Sequence, residues 1–252
     1  MRLMKKEVAR PTPTVRLAIA TDSAIINVAK LKSLAPTLVA SQLEYLGRPD
    51  MRMFIDNYLK KYNDKGDMIY SAGNIHIFRS QIDELLIDQN LDNNHIYAFA
   101  ILLAEKNKLH PGLYQPLIFV SSLHWDSNFL LMPVAEKLHW TLLVANLKSL
   151  AWLFFDSLPN LTHRVVLPDV INHLCEKTLD CFEGDIQNCS LNVVNGIPTQ
   201  TNGFNYGMFI YKYMEAAMLP HAIKWEELIH WQDEMPKFRA EFVYAILCVM
   251  IK

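Results

Sequence analysis

Residues 198–209 read Pro198-Thr199-Gln200-Thr201-Asn202-Gly203-Phe204-Asn205-Tyr206-Gly207-Met208-Phe209, a polar turn that runs directly into an apolar segment. Asparagine, threonine and glycine favour turns because their side chains bond local backbone or tolerate unusual dihedrals. The continuation, Phe209-Ile210-Tyr211-Lys212-Tyr213-Met214-Glu215, predicts a helix from Gly207 to Leu219. A helix N-terminus carries unpaired N–H groups and a positive field, so what sits at this junction matters chemically.

Two upstream fragments complete a pattern. Leu138-His139-Trp140-Thr141-Leu142-Leu143-Val144 sets a histidine at the head of an apolar strand, and Phe154-Phe155-Asp156-Ser157-Leu158 sets a carboxylate at the end of the next. A hairpin of these strands brings His139 and Asp156 together. In acyl transfer a histidine takes the nucleophile's proton while a carboxylate fixes the imidazole tautomer. Each fragment alone has a plain structural reading: a strand edge for His139 and Trp140, a turn for Asp156-Ser157-Leu158-Pro159-Asn160, and backbone satisfaction for Gln200 and Asn202. Their order and spacing together point to chemistry.

That set resembles the Ulp1/SENP family of ubiquitin-like-protein (SUMO) proteases, whose signature is H-W before a strand, D-S-L after the next, and Q-x-N-G-x-D-C-G at a helix start. The resemblance covers roughly residues 75–252, and the helix after Tyr206 is similar to that of divergent plant members. It implies an α+β, papain-like cysteine-peptidase domain with a central mixed or antiparallel sheet and flanking helices. By position it makes His139 the general base, Asp156 the orienting carboxylate, Gln200 the oxyanion donor and Trp140 one aromatic wall of a tunnel for a Gly-Gly tail. Asn205 stands in place of the signature aspartate, and Tyr206 in place of the nucleophilic cysteine. A phenol, with a reference pKa of about 10, is a poor acyl-transfer nucleophile and fills the space of the scissile carbonyl. Upstream, Asn90-Leu91-Asp92-Asn93-Asn94-His95-Ile96 aligns with the family's W-L-x-D-x-x-I. Asn90 and Asn93 there replace the other tunnel wall and an aspartate.

The resemblance therefore implies a catalytically inactive pseudo-protease acting through protein–protein contacts, with SUMO or another ubiquitin-like protein among the expected partners. Two alternatives stand beside it: a residual cysteine-type deSUMOylating peptidase, and a transposon-derived regulatory or toxin–antidote element.

The rest of the sequence bounds this reading. At 252 residues, 51% hydrophobic and 20% charged, the chain has the composition of an ordered globular protein. A net charge of −2 gives no footprint for nucleic acid or an anionic membrane, and no cofactor is expected. Cys175, Cys181, Cys189 and Cys248 include no C-x-x-C pair, which fits a reduced intracellular chain, nuclear or cytoplasmic. The dispersed basic residues of the first 48 also admit a mitochondrial transit peptide. The cysteines read as small hydrophobes rather than relocated nucleophiles. His124 with Asp126, and His221 with His230, lack metal-ligand spacing, so no metal site is expected.

Residues 1–70 read as a partly helical N-terminal extension, with Leu38, Leu43 and Leu46 at helical spacing. Residues 71–252 read as the peptidase-type domain. Pro49 opens a helix that Asn63-Asp64-Lys65-Gly66 ends, and Ser80 with Asp83 predicts a helix N-cap. Helices are expected near Ile96–Lys106 and over 169–180, strands at Leu130–Val134, Trp140–Asn146 and Trp152–Phe155. A final helix starts at Pro236, with Phe238, Phe242, Ile246 and Val249 on one face.

Overall fold

A computed structural model describes residues 48–72, 75–109, 117–119, 129–137, 139–178, 186–219, 224–228 and 230–250. The helix expected around Leu38–Leu46 lies outside these, as do His124, Asp126, Cys181 and His221.

Helix α1 (Pro49–Lys61) precedes a hairpin of β1 (Met68–Ala72) and β2 (Ile75–Phe78), then α2 (Arg79–Leu86) and α3 (Asn93–Leu109). Next come β3 (Leu117–Phe119), β4 (Phe129–Glu136), β5 (His139–Asn146) and β6 (Ala151–Phe155), a 3-10 turn (Leu161–Arg164), α4 (Leu167–Thr178) and β7 (Ser190–Val193). Helix α5 (Tyr206–Ala217), a second 3-10 turn (Trp225–Leu228) and α6 (Trp231–Met250) follow. Strands β3 to β7 form one mixed sheet in sequence order, antiparallel at β4–β5 and β5–β6 and parallel at β3–β4 and β6–β7. The architecture is the predicted α+β one, and the three strands expected from apolar runs fall within β4, β5 and β6.

Side chains alternate across a strand, so each face of the sheet collects its own core. Leu142 and Val144 of β5 join Phe99 of α3, Phe209 and Tyr213 of α5, and Phe242 of α6. Leu143 and Ala145 join Trp152, Phe154 and the α4 residues Ile171 and Leu174. Helix α5 thus lies on one face and α4 on the other. Every residue from Tyr206 to Tyr211 is buried, as are Tyr213 and Met214. A helix apolar all round is stable only when enclosed, and each large side chain so buried stabilises by about 1.5–3 kcal/mol. The residues expected to form an extension join this core from Pro49 onward, since Met51, Ile55 and Leu59 are buried on the face of α1 that meets α6.

Two boundaries differ from expectation. The N-cap of α2 is Phe78, not Ser80: the Gln81 side chain reaches back to accept from the Phe78 N–H at 2.9 Å, and Asp83 pairs with Arg79 instead. Helix α6 begins at Trp231, and Pro236 lies inside it. Proline removes the bond to the carbonyl four residues back, which costs least near a helix start. Here the N–H groups of Asp233 and Glu234 already bond the His230 carbonyl and start the helix ahead of it.

Candidate functional site

His139 is the first residue of β5, whose first pair is Glu136 of β4, and Lys137 leaves β4 with φ of +57°. Asp156 leaves β6 by one residue. Because Leu142 pairs with Phe155 in antiparallel register, the head of β5 and the tail of β6 share one end of the sheet. There Nε2 of His139 lies 2.9 Å from Oδ1 of Asp156, the juxtaposition the sequence predicts.

The fold adds a partner that the sequence reading passes over. His163, on the 3-10 turn after β6, places Nδ1 at 2.8 Å from the other carboxylate oxygen. The two imidazoles stack, with centroids 4.3 Å apart and planes 22° from parallel. The N–H groups of Leu158 and Asn160 also donate to Asp156, at 2.9 and 3.3 Å. Burial alone would raise the Asp156 pKa, but its hydrogen bonds to both histidines and to the Leu158 N–H hold it below the ordinary carboxylate value. Three potential metal-ligating groups, His139, Asp156 and His163, are thereby brought together, their ligand atoms all within 4.8 Å of one another. The signal available in the sequence was a histidine seven residues past Asp156, at a spacing with no helical or strand periodicity to mark it.

The turn before α5 is tied down from several sides. Gln200 is buried. Its N–H donates to the Ser157 carbonyl and its Oε1 accepts from the Ser157 hydroxyl, both at 2.8 Å, while its Nε2 donates to the Asn202 carbonyl. The Asn202 Oδ1 accepts from the N–H groups of Phe204 and Asn205. The hydroxyl of Tyr213 donates to the Pro198 carbonyl. Asn205 does not cap α5 with its side chain; Oδ1 instead accepts from Nε and Nη2 of Arg239 at 3.2 and 2.9 Å. Arg239 is fully buried and also donates to the carbonyls of Glu84, Leu85, Gln89 and Phe204, with Asp88 at 3.5 Å. Burial lowers its pKa to about 10, so it stays charged at neutral pH. It needed a fold to be seen as more than another α6 side chain.

Tyr206, the first residue of α5, is only 4% exposed. Its ring meets the His139 ring edge-on at 5.5 Å. Burial raises its phenol pKa, with only partial relief from the Arg239 charge. Trp140 donates from Nε1 to the Leu91 carbonyl at 3.1 Å, closing β5 against the segment before α3. Asn90 is exposed beside this link, and Asn93 opens α3 rather than joining the His139 group.

Residues 52–247 match the Ulp1 protease family, C-terminal catalytic domain. The chain belongs to the Ulp1 protease family. It is 25% identical over 229 residues to Sentrin-specific protease 2 of Homo sapiens, covering 79% of this chain and 36% of that protein. It is 28% identical over 124 residues to Ubiquitin-like-specific protease 1A of Arabidopsis thaliana, covering 48% of this chain and 24% of that one. The chain thus spans about a third or less of the length of these curated relatives. Among solved structures, the C-terminal Ulp1 protease domain in complex with Smt3, the yeast ortholog of SUMO, superposes with a TM-score of 0.57 at 16% identity, covering 79% of this chain and 96% of that one. The SUMO protease Ulp1 with its catalytic cysteine oxidised to a sulfinic acid reaches 0.59, also at 16% identity, covering 81% and 97%. This likeness establishes the Ulp1 domain fold.

Within this Ulp1-family domain, the His139–Asp156–His163 group contains no cysteine among the described residues. Cys175 is buried on α4, on the opposite face of the sheet from α5. Among the described residues no helix is long and apolar enough to cross a membrane. The arrangement can hold an imidazole in one tautomer and move a proton through it, but the side chain packed on that imidazole is a phenol.

Proposed function

We propose that this Ulp1-family domain is a pseudo-protease that acts by binding a protein, with a ubiquitin-like modifier of the SUMO class as the first partner to test. The observation that carries the reading is Tyr206. It begins α5, is buried, and packs on His139, at the position where the family signature carries its nucleophilic cysteine. A phenol whose pKa is raised further by burial holds its proton at neutral pH, so the imidazole has no thiol to activate.

The surroundings support recognition over turnover. Gln200, the residue expected to stabilise an oxyanion, gives one of its two Nε2 hydrogens to the Asn202 carbonyl. Asn90 is an exposed amide where the family's tunnel has an aromatic wall. Leu158, Leu161 and Val165 are exposed on the loop that carries His163, an apolar rim suited to a protein surface.

Isothermal titration of the full chain against a panel of ubiquitin-like proteins tests the binding, alongside SUMO and ubiquitin cleavage reporters. Saturable heat with a modifier and no cleavage is the expected pair of results. No heat with any modifier would sink that partner class. The retained His139–Asp156 pair favours one second reading, a residual hydrolase, and reporter turnover abolished by His139→Ala would establish it.

A further inference from the structure

We propose that His139, Asp156 and His163 form a binding site for one divalent transition-metal ion of the zinc type, a role separate from peptide hydrolysis and from partner binding.

The site is assembled by three different pieces of chain: the head of β5, the tail of β6 and the 3-10 turn that follows. A carboxylate whose only task is to orient His139 needs one imidazole. Here a second imidazole of comparable distance competes for the same group, at 2.8 Å against 2.9 Å. A metal ion uses all three. Tetrahedral zinc with bonds of about 2.0–2.1 Å sets its ligand atoms about 3.3 Å apart. The two nitrogen–oxygen separations are within about half an ångström of that, and all the ligand atoms already lie inside a 4.8 Å sphere of one another. The shifts required are of side-chain size.

Chemistry selects the ion. Two imidazoles and one carboxylate suit zinc, copper, nickel or iron rather than magnesium or calcium, which prefer all-oxygen sets. The carboxylate is supported from behind by the Leu158 and Asn160 N–H groups, the outer-shell support that fixes a metal-ligating side chain. The histidine side chains retain 11% and 14% exposure, which leaves a route for the ion and room for water in the fourth position. Proton balance is simple. Each ring holds its N–H toward Asp156, so loading requires a neutral ring to move that proton to its other nitrogen, and an imidazolium to lose one proton to solvent.

The test is titration of the full, metal-stripped chain with Zn2+ by competition against a chromophoric chelator, with Co2+ as a spectroscopic stand-in whose visible absorption reports coordination. We expect one Zn2+ per chain, at least about tenfold weaker binding in His163→Gln, and no change in His230→Gln, which lies outside the cluster. His163→Gln leaves the His139–Asp156 pair in place, and a thermal melt verifies that it folds. Asp156→Asn provides a second reading and should weaken binding likewise. Binding below one equivalent at about 100 µM Zn2+, or equal affinity in the folded His163→Gln and parent chains, overturns the proposal. Neither outcome bears on whether a ubiquitin-like protein binds.

Discussion

Arg239 delivers two of its nitrogens to the single amide oxygen of Asn205, so a fully buried cation is met by a neutral side chain at the base of α5. Its nearest carboxylate, on Asp88, stands off at 3.5 Å. Backbone carbonyls from α2 and its following loop supply most of the remaining solvation.

Asn205→Asp should therefore stabilise the domain, by about 1–2 kcal/mol, because the oxygen already in place gains a formal charge opposite a desolvated guanidinium. Arg239→Met should cost about 3–5 kcal/mol, since it removes the guanidinium that satisfies the Asn205 amide oxygen and bonds the Leu85, Gln89 and Phe204 carbonyls. Chemical denaturation of both variants checks the signs; an Asn205→Asp chain less stable than the parent would refute the pairing.

Gly207 has no room for a side chain. A Cβ there would come within 2.8 Å of the Leu91 Cβ, on the segment that Trp140 holds through the Leu91 carbonyl. Gly207→Ala should destabilise by about 1–3 kcal/mol and shift tryptophan emission as Trp140 loses its acceptor. A full-strength melt with unchanged fluorescence would show that the segment yields freely.

The fully buried His95 and the half-exposed Asp92 form a pH-sensitive clasp at the start of α3. Burial opposes charge on both, yet their mutual hydrogen bond and attraction prevail, lowering Asp92 to about 2 and raising His95 above its usual value of 6.5. The Asp92 contribution is present above pH 3.8 and lost as pH falls toward 2. The His95 contribution is present below pH 6.5 and lost as pH rises through its raised value. Asp92→Asn should then cost most between about pH 4 and 6.5, about 1 kcal/mol given that the carboxylate side chain is 51% exposed, and less on either side. Urea midpoints at pH 2.5, 5.5 and 9 measure this; a gap independent of pH would contradict it.

Replacing the phenol tests whether the His139 site can activate a thiol. The double variant Asn205→Asp, Tyr206→Cys should yield a thiol that alkylates faster at pH 7 than the buried Cys175, because it starts a helix beside an imidazole. A silent thiol in a folded variant would mean that the site has drifted beyond the exchange of one residue.

The fold was legible where the chain obeys a period. Leu142 and Val144 against Leu143 and Ala145 announce a strand buried on two sides, and the apolar run after Tyr206 announces an enclosed helix. His139 and Asp156 were legible because antiparallel pairing leaves little freedom for where a strand's head and its neighbour's tail meet. His163 and Arg239 were not. One sits on an aperiodic turn, and the other reaches back across 155 residues to Glu84, so neither partner could be inferred from local spacing. The cap of α2 failed for a narrower reason: Gln81 as N3 residue of a helix capped at Phe78 and Ser80 as an N-cap define two helix starts two residues apart, and sequence alone does not rank them.

The reach of Arg239 also bears on the order in which the molecule can assemble. Helix α6 follows every signature segment in the chain, yet it supplies the guanidinium that ties the α2 loop to the turn before α5. Contacts so distant in sequence form only after long loops have closed, at an entropic cost met late. A shortened product ending before Trp231 would carry His139, Asp156, Gln200 and Tyr206 in full, yet leave them unlatched. Integrity of the site thus depends on a helix translated after every residue of the site itself.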